Sequence, residues 1–368
     1  MTDSNVKPRL ETPAASSAVP LNPALLVDNR DSVIAQEDSQ PESTDTDATR
    51  TLLETESADS TAVNSKLSTA QRVATMAVLA SLNFLGTLGS GILIAALPQI
   101  ALDIGLSEGL ILWPAAVYSL AAGCLLLIFG TVADVVGPKP MWLTGSYLYI
   151  VFTLGIGFSR TGIQMIVFRT FQGASISMSL PTTVSLVANT FPRGTWRNIA
   201  FATMGVGYPL GFAVGLVLGG LFTDTIGWRW AYYMMAIINF FISTVAVWSL
   251  PPIHRKDASE TTWFRRLARD IDWIGAIIIS AASGLLMYVL AIITSSYRRI
   301  SEPHIIFLLV VSVCLLIFFP FWMNLQTRAG RPALIPNSLW GDFTFVSICI
   351  SVFLSWASLN AIEYFTTL

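Results

Sequence analysis

The stretch Gly207-Tyr208-Pro209-Leu210-Gly211-Phe212-Ala213-Val214-Gly215-Leu216-Val217-Leu218-Gly219-Gly220 decides the fold. Glycine returns at every fourth residue, at 207, 211, 215 and 219, inside a long apolar run. Four residues turn a helix through about 400°, so each glycine drifts only about 40° from the last and the four form one seam without side chains. Lipid supplies no hydrophobic force between helices, and small residues at this spacing let two backbones approach until van der Waals contact holds them. The pattern predicts a membrane helix packed tightly on a neighbour. A transporter wall and an ordinary packing seam share it, so the surrounding segments carry the decision.

Composition places the whole chain in a bilayer. Of 368 residues, 53% are hydrophobic and 12% charged, and the mean hydropathy is +0.63, whereas soluble domains carry about 25% charged residues. A net charge of −2, with no basic domain, excludes a nucleic-acid partner. Cys124, Cys314 and Cys349 stand apart in apolar stretches, which argues against a disulfide framework or a thiolate metal site. His254 and His304 lie too far apart in sequence to suggest a metal pair, and no metal site is expected.

Residues 1–72 are rich in Ser, Thr, Asp, Glu, Pro and Ala without hydrophobic period and read as a disordered cytoplasmic tail. No basic-then-apolar start marks a cleavable signal, so the first span is expected to direct insertion. Nine later segments reach the roughly 20 residues needed to cross a bilayer. They run over 74–98, 110–132, 141–158, 163–187, 199–222, 232–250, 274–294, 305–323 and 343–365. Starting from an inner tail, the even-numbered loops hold ten basic residues (Lys139, Arg193, Arg197, Arg255, Lys256, Arg265, Arg266, Arg269, Arg328, Arg331). The other side holds four, Arg160, Arg229, Arg298 and Arg299. This asymmetry predicts a cytoplasmic amino terminus. An odd number of spans leaves Leu368 outside, directly after an apolar helix, so the chain is expected to be incomplete.

Polar residues inside spans are the candidate functional groups. Arg169, Gln172, Ser175, Ser179 and Thr182 follow one another three or four residues apart on one face of the fourth span. An arginine there costs about 2.5–3.5 kcal/mol on insertion scales, so it is expected to face a bundle interior or wet cavity with a partner; the alternative is snorkelling to the interface. Asn83, Thr87 and Ser90 make a second polar face on the first span, beside Gly86, Gly89 and Gly91, as expected of a helix lining an aqueous path. Glu363 is the acid deep in the ninth segment and is a candidate for proton or cation binding, or for an interfacial position. The turn Gly130-Thr131-Val132-Ala133-Asp134-Val135-Val136-Gly137-Pro138-Lys139 offers one acid and one base to cap neighbouring helix ends, and also suits an ordinary turn.

Taken together, these segments resemble the major facilitator superfamily, most closely its fungal drug:proton antiporter branch with fourteen spans. The loop signature Gly-x-Leu-Ala-Asp-Arg-x-Gly-Arg-Lys is matched by Gly130, Ala133, Asp134, Gly137 and Lys139, with Val135 and Pro138 where arginines are usual. The fourth-span signature Arg-x-x-Gln-Gly is matched by Arg169, Gln172 and Gly173. The antiporter signature Gly-x-x-x-Gly-Pro-x-x-Gly-Gly falls on Gly211, Gly215, Gly219 and Gly220, with Leu216 replacing proline and Pro209 offering a kink earlier. Trp228-Arg229-Trp230 and Asp272-Trp273-Ile274-Gly275 look like fungal efflux pumps as well.

The resemblance implies an all-α polytopic membrane protein. Residues 73–251 would form an amino-terminal six-helix bundle, 252–272 a cytoplasmic basic loop, 273–325 two additional spans, and 326–368 the start of an incomplete carboxyl-terminal bundle. It further implies proton-coupled efflux of a small amphipathic drug, toxin or secondary metabolite, driven by the proton gradient without a bound cofactor. Gly130, Asp134, Gly137 and Lys139 would hold a cytoplasmic gate, and Arg169, Gln172, Gly173 and Glu363 would serve proton coupling. Gly207, Pro209, Gly211, Gly215, Gly219 and Gly220 would form the antiporter motif, and Asn83, Thr87, Ser90, Ser175 and Ser179 a substrate cavity. A partner chain completing the second bundle is a further expectation, with the plasma membrane as the site and a vacuolar or vesicle membrane as the alternative. Two rival readings are a nutrient importer on the same scaffold and a truncated, non-transporting or regulatory protein derived from such a pump. No paired acids, His cluster or Ser-His-Asp set supports an enzyme, and the missing Gly-x-x-x-x-Gly-Lys loop disfavours direct ATP coupling.

Overall fold

Nine α-helices follow one another in the computed structural model, which describes residues 68–251, 271–295, 302–331, 334–335 and 337–367. They are α1 (Thr69–Ile104), α2 (Trp113–Val136), α3 (Pro138–Phe158), α4 (Gly162–Thr190), α5 (Thr195–Thr225), α6 (Trp228–Ser249), α7 (Trp273–Ser295), α8 (Pro303–Arg328) and α9 (Phe343–Thr367). Short 3₁₀ turns occupy Glu108–Leu110 and Asn337–Gly341, and no strand occurs among the described residues. The chain is an all-α polytopic membrane protein. Of the expected tail over 1–72, residues 1–67 lie outside the described residues and residues 69–72 belong to α1; of the expected basic loop over 252–272, residues 252–270 lie outside them, as does the side chain of Glu363.

Local chemistry sets the helix limits. Ser68 opens α1 with a capping box: its hydroxyl accepts from the Gln71 N–H at 3.2 Å, and the Gln71 side chain accepts from the Ser68 N–H at 3.0 Å. Gly105 closes α1 in the left-handed region at φ 65°. Gly137 at φ 106° both ends α2 and begins α3, a conformation that side-chain-bearing residues rarely adopt, and Pro138 starts the next helix where its missing N–H costs nothing.

Seven of the nine helices are long and apolar enough to cross a membrane by length and composition. All nine expected segments are helical, and α4 and α9 are the two that fall outside this criterion. In α4 the reason is physical: Arg169, Gln172, Ser175, Ser177, Ser179, Thr182 and Thr183 lower its apolar content, and all are buried inside the bundle. Its neighbours α2 and α3 flank it closely, so its polar face is covered by protein. α9 is a helix over Phe343–Thr367, of which Phe343–Ser358 is the part whose side chains are described.

Helices α1 to α6 share one core, in which Leu79, Ile92, Trp142, Tyr149, Trp228 and Tyr232 are almost wholly buried. α1 packs chiefly on α5, α4 on α2 and α3, and α6 on α3 and α1. Hydrogen bonds between spans reinforce this packing, each worth about 0.6 kcal/mol on average in a membrane. Ser146 on α3 bonds Ser243 at 2.6 Å and Asn239 at 3.3 Å on α6, and Asn239 returns a bond to the Ser146 carbonyl at 3.2 Å. Trp142 donates to Thr183 of α4 at 3.0 Å.

A second cluster joins α7 and α8 through Val289, Ile292 and Ile305. It reaches α2 where Trp113 meets the Tyr288 ring edge-on at 5.8 Å. Asp272 ties the pair at one end. Its carboxylate accepts from the Gly275 N–H at 2.9 Å, from Trp322 Nε1 at 3.1 Å and from Gln326 Nε2 at 3.2 Å.

Candidate functional site

The glycines of α5 lie against the backbone of α1, in step and pointing the same way along the chain. Gly207 faces Ala80 and Phe84, Gly211 faces Phe84 and Thr87, Gly215 faces Leu88, and Gly219 faces Ile92 and Ala95. A Cβ on Gly215 would lie 3.0 Å from both the carbonyl carbon and the Cα of Leu88, and one on Gly219 would lie 2.8 Å from the Ile92 Cα. Only hydrogen fits, and the glycine Cα–H bonds point at α1 carbonyls, a weak but additive attraction. Gly220 has no atom near its missing side chain and Pro209 is exposed, so these two expected motif members lie off the seam, about a quarter-turn or more around the helix.

This close approach brings the backbone of α1 beside α4 and α6, and Arg169 sits at that junction. Its side chain is 1% exposed. Nη1 donates to Gln172 Oε1 at 3.0 Å, and Nη2 donates to the Gly89 carbonyl of α1 at 3.1 Å and to Tyr232 Oη of α6 at 3.5 Å. The guanidinium also lies over the rings of Tyr118 on α2, at 5.5 Å, and Tyr232, at 5.8 Å. Five helices therefore converge on one charge, because Gln172 Nε2 donates to Thr153 of α3 at 2.8 Å. Each hydrogen bond to a charged group is worth about 1.5–3 kcal/mol and each desolvated cation–π contact about 2 kcal/mol, enough to offset the insertion cost. No carboxylate pairs with Arg169 among the described residues. The snorkelling alternative is therefore excluded in this structure: the arginine turns inward.

Gly173, expected beside Arg169 in proton coupling, has a packing task. A Cβ there would strike the Tyr118 carbonyl oxygen and lie 3.1 Å from Ala121 Cβ. Its bare backbone lets α2 approach α4, which sets the Tyr118 ring over the guanidinium one turn away.

The expected cavity residues separate into two groups. Asn83, Thr87 and Ser90 lie along α1; Thr87 and Ser90 are half-buried and bond back to their own helix, to the Phe84 carbonyl at 3.1 Å and the Gly86 carbonyl at 3.4 Å. Ser175 and Ser179 are 1% exposed. Ser179 fits against the bare backbone of Gly145 on α3 and reaches the Trp142 carbonyl at 3.5 Å, while Ser175 bonds the Phe171 carbonyl at 2.8 Å. Ser179 thus lies in the α3–α4 seam and the Ser175 hydroxyl turns to its own helix. Periodicity gave their common face but not the helix it meets.

At the α2–α3 turn, Lys139 Nζ donates to the carbonyls of Val247, at 3.0 Å, and Leu250. A cation thereby caps the carboxyl end of α6, where the unpaired carbonyls and the helix dipole favour it. Asp134 is exposed in the last turn of α2, and Gly130 faces Pro181 of α4.

A clasp at the opposite end of the bundle was not read from the sequence. Asp103, in the last turn of α1, accepts from Trp228 Nε1 at 2.9 Å and pairs with Arg229 at 3.3 Å. Arg229 also donates to the Ser159 carbonyl at 3.3 Å and lies over the Trp228 ring at 4.4 Å. It thus joins the ends of α1, α3 and α6. The Trp-Arg-Trp triplet marked one side of the clasp, but nothing near Asp103 signalled the other.

Comparison with known proteins agrees with this architecture. The family described as Major Facilitator Superfamily matches residues 79–366. The chain is 46% identical over 319 residues to MFS-type transporter 1 of Pyricularia oryzae, covering 80% of this chain and 52% of that protein. It is 29% identical over 294 residues to the low affinity ammonium transporter of Saccharomyces cerevisiae, covering 78% and 55%. It is 25% identical over 292 residues to the efflux pump terJ of Aspergillus terreus, covering 78% and 54%. The chain spans about half the length of these relatives.

Proposed function

Because the chain belongs to the major facilitator superfamily, we propose that it forms one wall of a proton-coupled exporter of small amphipathic molecules. The observation that carries this reading is the buried Arg169, held by a carbonyl, an amide and two tyrosines and, among the described residues, by no carboxylate. A guanidinium keeps its charge, so it acts on its surroundings through its field and does not itself shuttle protons. A buried positive field favours the ionised form of any acid that approaches and favours an anionic or electron-rich group on a ligand. Either effect shifts the balance between inward and outward states only through different affinity for the two. Similarity to the efflux pump of Aspergillus terreus supports export over import. The proton gradient supplies the energy, with no bound cofactor, and Glu363 is the acid we assign to proton exchange. The opposite wall falls to the part of the relatives that this chain does not match, on the same polypeptide or on a partner chain.

In this scheme α1 lines the path beside Arg169. The α2–α3 turn with Gly130, Asp134, Gly137 and Lys139 holds the gate at the end where Lys139 clamps α6, and the plasma membrane is the site of action. The test uses the full-length product carrying this chain, reconstituted in liposomes with an imposed pH gradient and rhodamine 6G as the amphipathic probe. The gradient is expected to drive dye movement in the wild type. Arg169→Ala should lower that flux at least about tenfold, the equivalent of one lost charged hydrogen bond. Arg169→Lys should also fail to restore it, since an ammonium cannot reach Gln172, Gly89 and Tyr232 as a planar fork does. Gradient-driven flux that survives Arg169→Ala unchanged refutes the role.

A further inference from the structure

We propose that Asn83, the hydroxyl of Tyr118 and the bare backbone at Gly86 form a recognition notch for a neutral carboxamide-type group of the transported molecule. This inference rests on the transport reading above and names a substrate class for the same wall.

Asn83 is 2% exposed, yet neither its Nδ2 nor its Oδ1 has a hydrogen-bond partner among the described residues. Both ends of the amide are idle, so exchanging its oxygen and nitrogen would leave the conclusion the same. Buried amides are rarely left unpaired in both directions, because a desolvated donor and acceptor each weaken the fold. One turn along the same face of α1 lies Gly86. A Cβ there would lie 3.3 Å from Tyr118 Oη and 3.8 Å from Ile176 Cδ1, so glycine leaves the tyrosine hydroxyl uncrowded. Tyr118 is half-buried and its hydroxyl makes no hydrogen bond among the described residues. Its ring already lies over Arg169. An idle amide thus lies one turn from a bare stretch of backbone on which an idle phenol rests too closely for a side chain to intervene.

The idle groups specify the ligand. An ester or ketone can use only the donors, an ammonium only the acceptors, and a carboxylate would be drawn to Arg169. A carboxamide or lactam offers a donor and an acceptor side by side and satisfies Asn83 reciprocally, with the phenol available to its second lone pair. Ile176 supplies an apolar wall beside it.

Binding tests this without turnover. The full-length product in lipid nanodiscs is titrated with tritiated 2-naphthamide and with methyl 2-naphthoate, which matches its size but lacks the donor. The wild type is expected to bind the amide roughly tenfold more tightly. Asn83→Leu should bind both probes alike while melting at the same or a higher temperature, because an idle polar group has been removed. Tyr118→Phe, which removes one hydroxyl, should retain only part of the preference. The inference is overturned if the wild type binds the two alike or binds neither. It is also overturned if Asn83→Leu keeps the preference, as it would were the notch filled by water, or melts lower, as it would were the amide structural. An amide preference in a protein that moves no dye counts against the transport reading alone. Gradient-driven flux without the preference counts against the notch alone.

Discussion

A single methyl group added at Gly215 will force α1 and α5 apart. The new carbon would sit 3.0 Å from two backbone carbons of Leu88 and closer still to its oxygen. Carbon–carbon contacts are comfortable at about 3.5–4.0 Å, so the helices must part by roughly 0.5 Å or more. The obstacle is main chain, so no rotamer change relieves it, and parting there also loosens the contacts at Gly211 and Gly219. Overpacking of this kind costs about 1–3 kcal/mol, against which alanine returns up to about 1 kcal/mol of helix propensity. Gly220 separates the two effects, because it lies on the same helix with open space at its missing side chain. Gly220→Ala should gain the propensity without the clash. Thermal unfolding of both variants in detergent, followed by tryptophan fluorescence, should therefore place Gly215→Ala below Gly220→Ala by about 1–3 kcal/mol. If Gly215→Ala melts with or above Gly220→Ala, the seam is not close-packed as described.

The Asp103–Arg229 pair is about one-third exposed on each side, so a double-mutant cycle should return a coupling of only about 0.2–1 kcal/mol. Asp103→Ala should cost more than that coupling, because Trp228 Nε1 also loses its acceptor; equal losses would show that the tryptophan contact adds nothing. Asp272→Ala strips the acceptor from Gly275, Trp322 and Gln326 and should destabilise the α7–α8 pair by roughly 1–3 kcal/mol. Hydrogen exchange should then quicken in α7 and α8 and stay unchanged in α1 to α6, whereas uniform quickening would mean that the two clusters unfold together.

The parts of this molecule legible in its sequence are those governed by spacing along one helix. The four-residue glycine period gave the seam on α5, and the three-residue step from Arg169 to Gln172 gave an actual contact at 3.0 Å. What spacing cannot give is the partner across the gap. Ser179 was placed on the right face of α4, but the groove at Gly145 that receives it is 34 positions earlier in the chain. Gly220 matched a signature letter for letter and still turned away, since a neighbour in sequence stands about 100° around the helix. Asp103 gave no signal in the sequence because its partners, Trp228 and Arg229, arrive from more than a hundred positions away. Gly173 stood beside the arginine in a familiar motif, and only the packed structure shows that it works by admitting Tyr118.

The glycine seam raises a question of register. A ladder that repeats every four residues resembles itself after a slide of one turn, about 6 Å, so the α5 glycines alone would accept α1 at several heights with little change in contact. A membrane offers few other marks along a helix axis to choose among them. Gly91 removes the degeneracy. It lies on α1, and a Cβ there would strike the Phe212 carbonyl oxygen and lie 2.8 Å from the Leu216 nitrogen. A one-turn slide would bring Thr87 or Ala95 to that height, and each carries the carbon that cannot fit. The second strand of contacts thus acts as a vernier against the first, fixing α1 at one height and with it the Gly89 carbonyl that Arg169 depends on.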